Sequence, residues 1–251
     1  MKIQRLVRTL VVGFAWLSGI GISLADEISV AVASNFTDAI KTIAARFEAD
    51  TAHKVTLIFG STGKHYAQIK NGAPFDAFFA ADVERPELLE KEGLASPGSR
   101  FIYAVGKIVL WSPRAGYVDS QGKVLQQQPF RYLALANPEL APYGKAAREV
   151  LQAYGVWDAL QERIVRGENI EQTYQFVDSG NAELGFVAYS QIRRPGHPVA
   201  GSFWEVPQSL YSPIEQQAVL LKDREAARAF LSFVKGDESR TIIQGFGYDT
   251  P

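Results

Sequence analysis

Two rhythms of apolar and polar positions alternate along this chain. Residues 28–33 (ISVAVA) are an almost continuous apolar run, as in a strand buried on both faces. Residues 36–48 follow with apolar positions at 36, 39, 40, 43, 44 and 47, the spacing of one helical face. The exchange recurs with strands at 55–59 and 75–80 and helices at 64–70 and 86–91. Asn71-Gly72-Ala73-Pro74 and Gly93 punctuate it. Strands alternating with helices predict a mainly parallel sheet with helices on its faces.

Near residue 100 the rhythm changes. Residues 99–111 (SRFIYAVGKIVLW) are one long β-rich run, and 112–129 read as loop. A strand at 132–136, helices at 142–154, 157–163 and 170–179, and a strand at 184–189 follow. Residues 193–198 read as loop, 215–221 as strand, and 226–234 and 238–244 as helices. There is no internal repeat. The pattern predicts an α/β protein of two lobes: residues 26–105 plus 203–251 in lobe I, and 106–202 in lobe II. The chain would cross between them near 101–111 and 200–215. Open α/β sheets bind ligands beyond the carboxyl ends of their strands. Two facing lobes would gather those ends around one cleft that closes by a hinge.

The first 25 residues stand apart. Lys2, Arg5 and Arg8 precede an apolar run from Leu10 to Leu24, and Ser23-Leu24-Ala25 places small residues before Asp26. This is the pattern of a secretory signal cleaved after Ala25. The run, about 15 residues, is short for a ~20-residue membrane span. From Asp26 onward there are 23 basic and 27 acidic residues, a net charge of −4. The expected product is an exported, mildly acidic, soluble protein.

Composition removes whole classes of chemistry. There are no cysteines, hence no thiolate ligands, Cys nucleophiles or disulfides. His53, His65 and His197 share no metal-site spacing. The lack of a basic excess argues against nucleic acid as a partner.

Candidate chemistry concentrates at four junctions where a helix begins. In Ala33-Ser34-Asn35-Phe36-Thr37-Asp38 a strand runs directly into a helix, which Ser34 or Asn35 could cap. Phe59-Gly60-Ser61-Thr62-Gly63-Lys64 does the same with two hydroxyls and two glycines. It is not a phosphate loop: Gly63-Lys64 is followed by His65, and Ile58 stands where the first glycine belongs. The third junction, Asn137 to Lys145, sets Pro142 at a helix start with Tyr143 in the first turn. In the fourth, Asn169 caps a helix whose first N–H belongs to Ile170, with Gln172 placed for a capping-box-like pair. Any one alone reads as an ordinary cap. Several helix N-termini aimed at one cleft would bind an anion without Lys or Arg.

These segments resemble the ModA family of periplasmic molybdate-binding proteins, and the resemblance spans the chain from residue 26. It rests on Ala33 to Ala39 (ASNFTDA), Gly60 to Gly63 (GSTG), Gln68 to Asp76 (QIKNGAPFD), Phe78 to Asp82 (FFAAD), Asn137 to Gly144 (NPELAPYG) and Leu184 to Val187 (LGFV). It implies a type II periplasmic binding-protein fold. It also implies a tetrahedral oxyanion, molybdate and tungstate alike, held by neutral donors and delivered to an ABC permease. Carried over by position, Ser34, Asn35, Ser61 and Thr62 would contribute from lobe I. Backbone N–H groups of Tyr143 and Ile170 would contribute from lobe II. Molybdenum would enter wrapped in its own oxygens, with no protein ligand to the metal and no cofactor.

One departure stands out. Many family members place a Tyr hydroxyl on the anion from the strand after LGFV. Here Ala188 holds that position and Tyr189 comes one residue later, facing the other way. The Tyr143 phenol is the candidate replacement.

Other readings have less behind them. A sulfate or phosphate carrier shares the fold logic. An exported Ser hydrolase lacks G-x-S-x-G, and His65 is expected on a solvated helix face. Trp111, Trp157 and Trp204 read as packing, and Arg193-Arg194 as a solvated loop. A monomer without catalytic residues is expected.

Overall fold

The computed structural model describes residues 26–251; the expected signal sequence and its cleavage point lie outside them. No helix among the described residues is long and apolar enough to cross a membrane.

Lobe I opens with β1 (Glu27–Ala33), a single turn of 3-10 helix (Ser34–Phe36), α1 (Thr37–Asp50), β2 (Lys54–Gly60), α2 (Thr62–Lys70), β3 (Ala77–Phe79) and α3 (Glu84–Lys91). Then come β4 (Phe101–Gly106) and β5 (Ile108–Ser112). Lobe II continues with α4 (Val124–Gln127), β6 (Leu133–Ala136), α5 (Pro142–Ala153), β7 (Ile164–Gly167), α6 (Ile170–Asp178), β8 (Leu184–Ala188), α7 (Tyr189–Ile192) and β9 (Ser202–Glu205). The chain returns to lobe I as β10 (Ile214–Leu220), α8 (Glu225–Lys235) and α9 (Asp237–Gly245).

The two sheets share a plan. The first runs β2-β1-β3-β10-β4 and the second β7-β6-β8-β5-β9. β1 pairs in parallel with β2 and β3, as β6 does with β7 and β8. One strand in each sheet runs against the rest: β10 between β3 and β4, and β5 between β8 and β9.

Period-2 side-chain alternation explains why both faces are covered. From β1, Ile28, Val30 and Val32 face α1 and α8, packing with Ile40, Ile43, Phe47 and Phe230. Ala31 points the other way, with Phe78, Ile69 of α2 and Leu89 of α3. In lobe II, Leu133 and Leu135 pack with Ala147, Val150 and Leu151 of α5, while Ala134 meets Val177 of α6.

Several boundaries differ from the sequence pattern. The run 99–111 is two strands in different sheets, broken at Lys107. β9 pairs with β5, so lobe II extends to Glu205 rather than 202, and the return crossing is 206–213. β7 and β9 replace segments that lacked a strand signal, and Tyr189 begins α7 instead of ending a strand.

Candidate functional site

The carboxyl ends of β1 and β2 and the amino ends of α5 and α6 converge between the lobes. Ser34, Asn35, Ser61, Thr62, Tyr143 and Ile170 line one chamber, each at most 4% exposed. The rest of the lining is Ala33, Gly60, Ala81, Ala141 and Pro142. No residue of it is charged at neutral pH. The space open to the centre of a water-sized sphere is ≈ 10 Å³.

Each donor is set by its local structure. Phe36 stands at the cap position of α1 and no side chain caps that helix, so neither Ser34 nor Asn35 serves as the cap expected. The Ser34 hydroxyl has no protein partner among the described residues. Ser61 caps α2, accepting the Lys64 N–H at 3.4 Å. Thr62 Oγ1 accepts the Ala81 N–H at 3.0 Å. Both hydroxyls therefore spend a lone pair on the protein and keep their hydrogen.

On the facing lobe, Pro142 opens α5 and Tyr143 follows. Asn169 caps α6, accepting the Gln172 N–H at 3.0 Å. The Gln172 side chain accepts the Glu168 N–H at 2.7 Å, one residue before the capping-box position. First-turn N–H groups have no acceptor within their own helix, so those of Tyr143 and Ile170 are available. Gly144 lets α5 begin this close to β6: a Cβ there would stand 2.2 Å from the Ala136 carbonyl oxygen.

Behind the chamber lies a buried polar cluster for which the sequence carried no signal. Asn35 Nδ2 donates to Gln216 Oε1 at 2.8 Å and to Tyr248 Oη at 3.1 Å, which occupies both amide hydrogens. Tyr103 Oη lies 2.9 Å from Gln216 Oε1 and 3.1 Å from the Ala80 carbonyl oxygen. Gln216 Nε2 donates to the Tyr143 phenol oxygen at 3.2 Å. Tyr248 Oη lies 2.6 Å from the Asn35 carbonyl and 2.9 Å from Ser190 Oγ. Ser190 donates to that same carbonyl at 3.0 Å. Burial raises the pKa of Tyr103, Tyr143 and Tyr248, so all three stay protonated.

The Tyr143 phenol thus points at Gln216 and the crossing at Gly106, where a Cβ would meet it at 2.1 Å. The Tyr189 ring lies against Phe203 and Gly247, and Tyr189 is not part of the chamber lining. His65 is buried, contrary to the solvated face expected. Its Nε2 lies 3.2 Å from the Val32 carbonyl oxygen and its Nδ1 lies 3.0 Å from Gln68 Oε1. α2 turns that face onto β1, and burial lowers the imidazole pKa despite both contacts. Trp111 and Trp204 are buried in lobe II away from the chamber, while Arg193 and Arg194 are exposed.

Charged groups hold the lobes together outside the chamber. Lys64 Nζ meets Glu168 Oε1 at 2.7 Å. Arg85 pairs with Asp82 and donates to the Glu139 carbonyl at 3.1 Å. Burial raises the Asp82 pKa, and Arg85 opposes that shift. The Gly63 N–H donates to the Leu140 carbonyl at 2.8 Å.

Two α/β lobes around a small donor-lined chamber define a solute-binding protein. The chain belongs to the bacterial extracellular solute-binding protein family, whose model matches residues 28–249. It is 53% identical over 227 residues to the molybdate-binding protein ModA of Azotobacter vinelandii, covering 89% of this chain and 90% of that one. It is 49% identical over 230 residues to the ModA of Rhodobacter capsulatus, covering 90% and 89%. The solved periplasmic molybdate-binding protein of Azotobacter vinelandii superimposes with a TM-score of 0.87 at 44% identity, over 89% of this chain and 99% of that one.

Proposed function

We propose that this protein captures molybdate, and tungstate with it, outside the cytoplasm and passes it to an ABC permease. The observation that carries this reading is the chamber: four hydroxyl- or amide-bearing residues and two helix starts, with no charged side chain. Ser34, Ser61 and Thr62 give hydroxyl hydrogens. Tyr143 and Ile170 give backbone N–H groups. Asn35 gives its backbone N–H, since its amide hydrogens are engaged elsewhere. Each hydrogen bond to a charged oxygen contributes about 1.5–3 kcal/mol net, so a handful suffices for tight binding.

The lining supports a compact inorganic anion: it presents hydroxyls, an amide residue and helix starts around a small space, with no broad apolar wall for a carbon skeleton. Relatives at 53% and 49% identity that are named for molybdate favour it over sulfate and phosphate. Export, cleavage after Ala25, a monomeric state and the lack of catalysis belong to the same proposal. No cofactor is required.

A thermal-melting panel on residues 26–251 with molybdate, tungstate, sulfate and phosphate tests this. A ligand bound only by the folded state raises the melting temperature according to its affinity. Large shifts with molybdate and tungstate are expected. A shift with sulfate or phosphate and none with molybdate overturns the reading.

A further inference from the structure

We propose that Tyr248, Ser190 and Gln216 form a closure latch, acting through Asn35 and Tyr143 to set how long a captured anion stays. The proposal rests on the oxyanion-capture reading above. None of the three residues lines the chamber. They join elements far apart in the chain: β10 of lobe I, α7 of lobe II and the C-terminal tail.

The tail is built to deliver Tyr248. Asp249 pairs with Val105, its carbonyl accepting at 2.7 Å and its N–H donating at 3.1 Å, while its carboxylate meets Lys107 Nζ at 2.9 Å. The last residues therefore run as a strap over the β4–β5 crossing. Gly247 turns the strap at φ +86, and a Cβ there would stand 2.6 Å from the Tyr189 ring.

The bonds form one cluster. Asn35 Nδ2 donates to Tyr248 Oη and Ser190 Oγ donates to the Asn35 carbonyl, while the single Tyr248 hydrogen faces both that carbonyl at 2.6 Å and Ser190 Oγ at 2.9 Å. Buried hydrogen bonds that share members in this way strengthen one another. Two of these links cross between lobes, as does the bond from Gln216 to Tyr143. The Gln216 oxygen accepts from Asn35, and its Nε2 is left to reach Tyr143. Opening the cleft breaks every cross-lobe link. Closing it restores them and fixes the turn that carries the Ser34 and Asn35 donors. The latch thus belongs to the closed state, and its loss falls on release rather than on encounter.

The test compares wild type, Tyr248→Phe, Ser190→Ala and the double variant by stopped-flow binding of molybdate and by melting without ligand. Tyr248→Phe is expected to release molybdate about tenfold faster, with association changed less than about twofold. The double variant should release little faster than the worse single one, because both substitutions break the same cluster. Ligand-free melting shows that each variant is folded. Unchanged release, or a loss carried by association, overturns the latch. If the wild type binds no molybdate, the capture reading fails, and small-angle scattering of the ligand-free proteins judges the latch instead. A more expanded Tyr248→Phe supports it, and equal dimensions overturn it.

Discussion

Lys64 and Glu168 meet at 2.7 Å across the cleft, one from the first turn of α2 and the other just ahead of the α6 cap. Both side chains are about half exposed, 50% and 46%. An exposed pair of this kind contributes only about 0–1 kcal/mol. Lys64→Gln should therefore weaken molybdate binding by no more than about fivefold at low salt, and the deficit should vanish as salt is raised. Titrations at two ionic strengths check this. A larger, salt-insensitive loss would place Lys64 on the anion itself.

Ser34→Ala isolates a chamber donor. The hydroxyl has no protein partner among the described residues, so its removal leaves no buried group stranded. Affinity should fall by about 10- to 100-fold, the range for one bond to a charged oxygen. The ligand-free melting temperature should stay within about 2 °C of wild type. Calorimetry and melting together distinguish this from general damage.

The two tyrosines separate cleanly. Tyr143→Phe leaves Gln216 Nε2 buried without its acceptor, which costs about 1–3 kcal/mol, chiefly in the closed state. Tyr189 packs by its ring, and its hydroxyl makes no hydrogen bond among the described residues. Calorimetry should find Tyr143→Phe weaker for molybdate and Tyr189→Phe close to wild type. Equal losses would refute the assignment.

His65 gives stability a pH dependence. Its folded pKa lies below the ordinary 6.5, through burial first. The unfolded chain therefore binds a proton that the folded one refuses. The contribution is fully present above pH 6.5 and is lost as pH falls from there toward the lower folded value. Denaturant titrations should show stability declining as the pH falls below 6.5, and His65→Gln should flatten that slope.

Gly144→Ala tests the approach of α5 to β6. The added Cβ must displace the Ala136 carbonyl from 2.2 Å. Either the helix start moves, carrying the Tyr143 N–H with it, or the strand yields. A stability loss of ~2–4 kcal/mol, together with weaker binding, is expected from denaturant curves and calorimetry.

How far the sequence led can be read at particular residues. Ser34, Ser61 and Thr62 were legible because each sits where a buried strand meets a helix, a change of period visible over a few positions. Pro142 and Asn169 announced their helices by the chemistry of the first turn. Lys107 was illegible. Both flanking segments are β-rich, and periodicity does not record which sheet a strand joins. Gln216 and Tyr248 were hidden for another reason. Each is a lone polar residue far from Asn35 in the chain, and they meet only because β10 inserts between β3 and β4 and the tail doubles back over the crossing. His65 was misplaced because the turn after Thr62 faces β1, an orientation that one helical turn does not reveal.

The uncharged chamber has an electrical consequence. Donors without formal charge solvate an anion but do not cancel it, so a loaded protein would carry the whole charge of its cargo. From Asp26 onward the chain is already at −4. A bound dianion would make it two units more negative, a difference that native electrophoresis or anion exchange can register. No proton need be taken up or given off as the anion enters or leaves. Loading and unloading would then proceed without drawing on, or disturbing, the acidity of the surroundings.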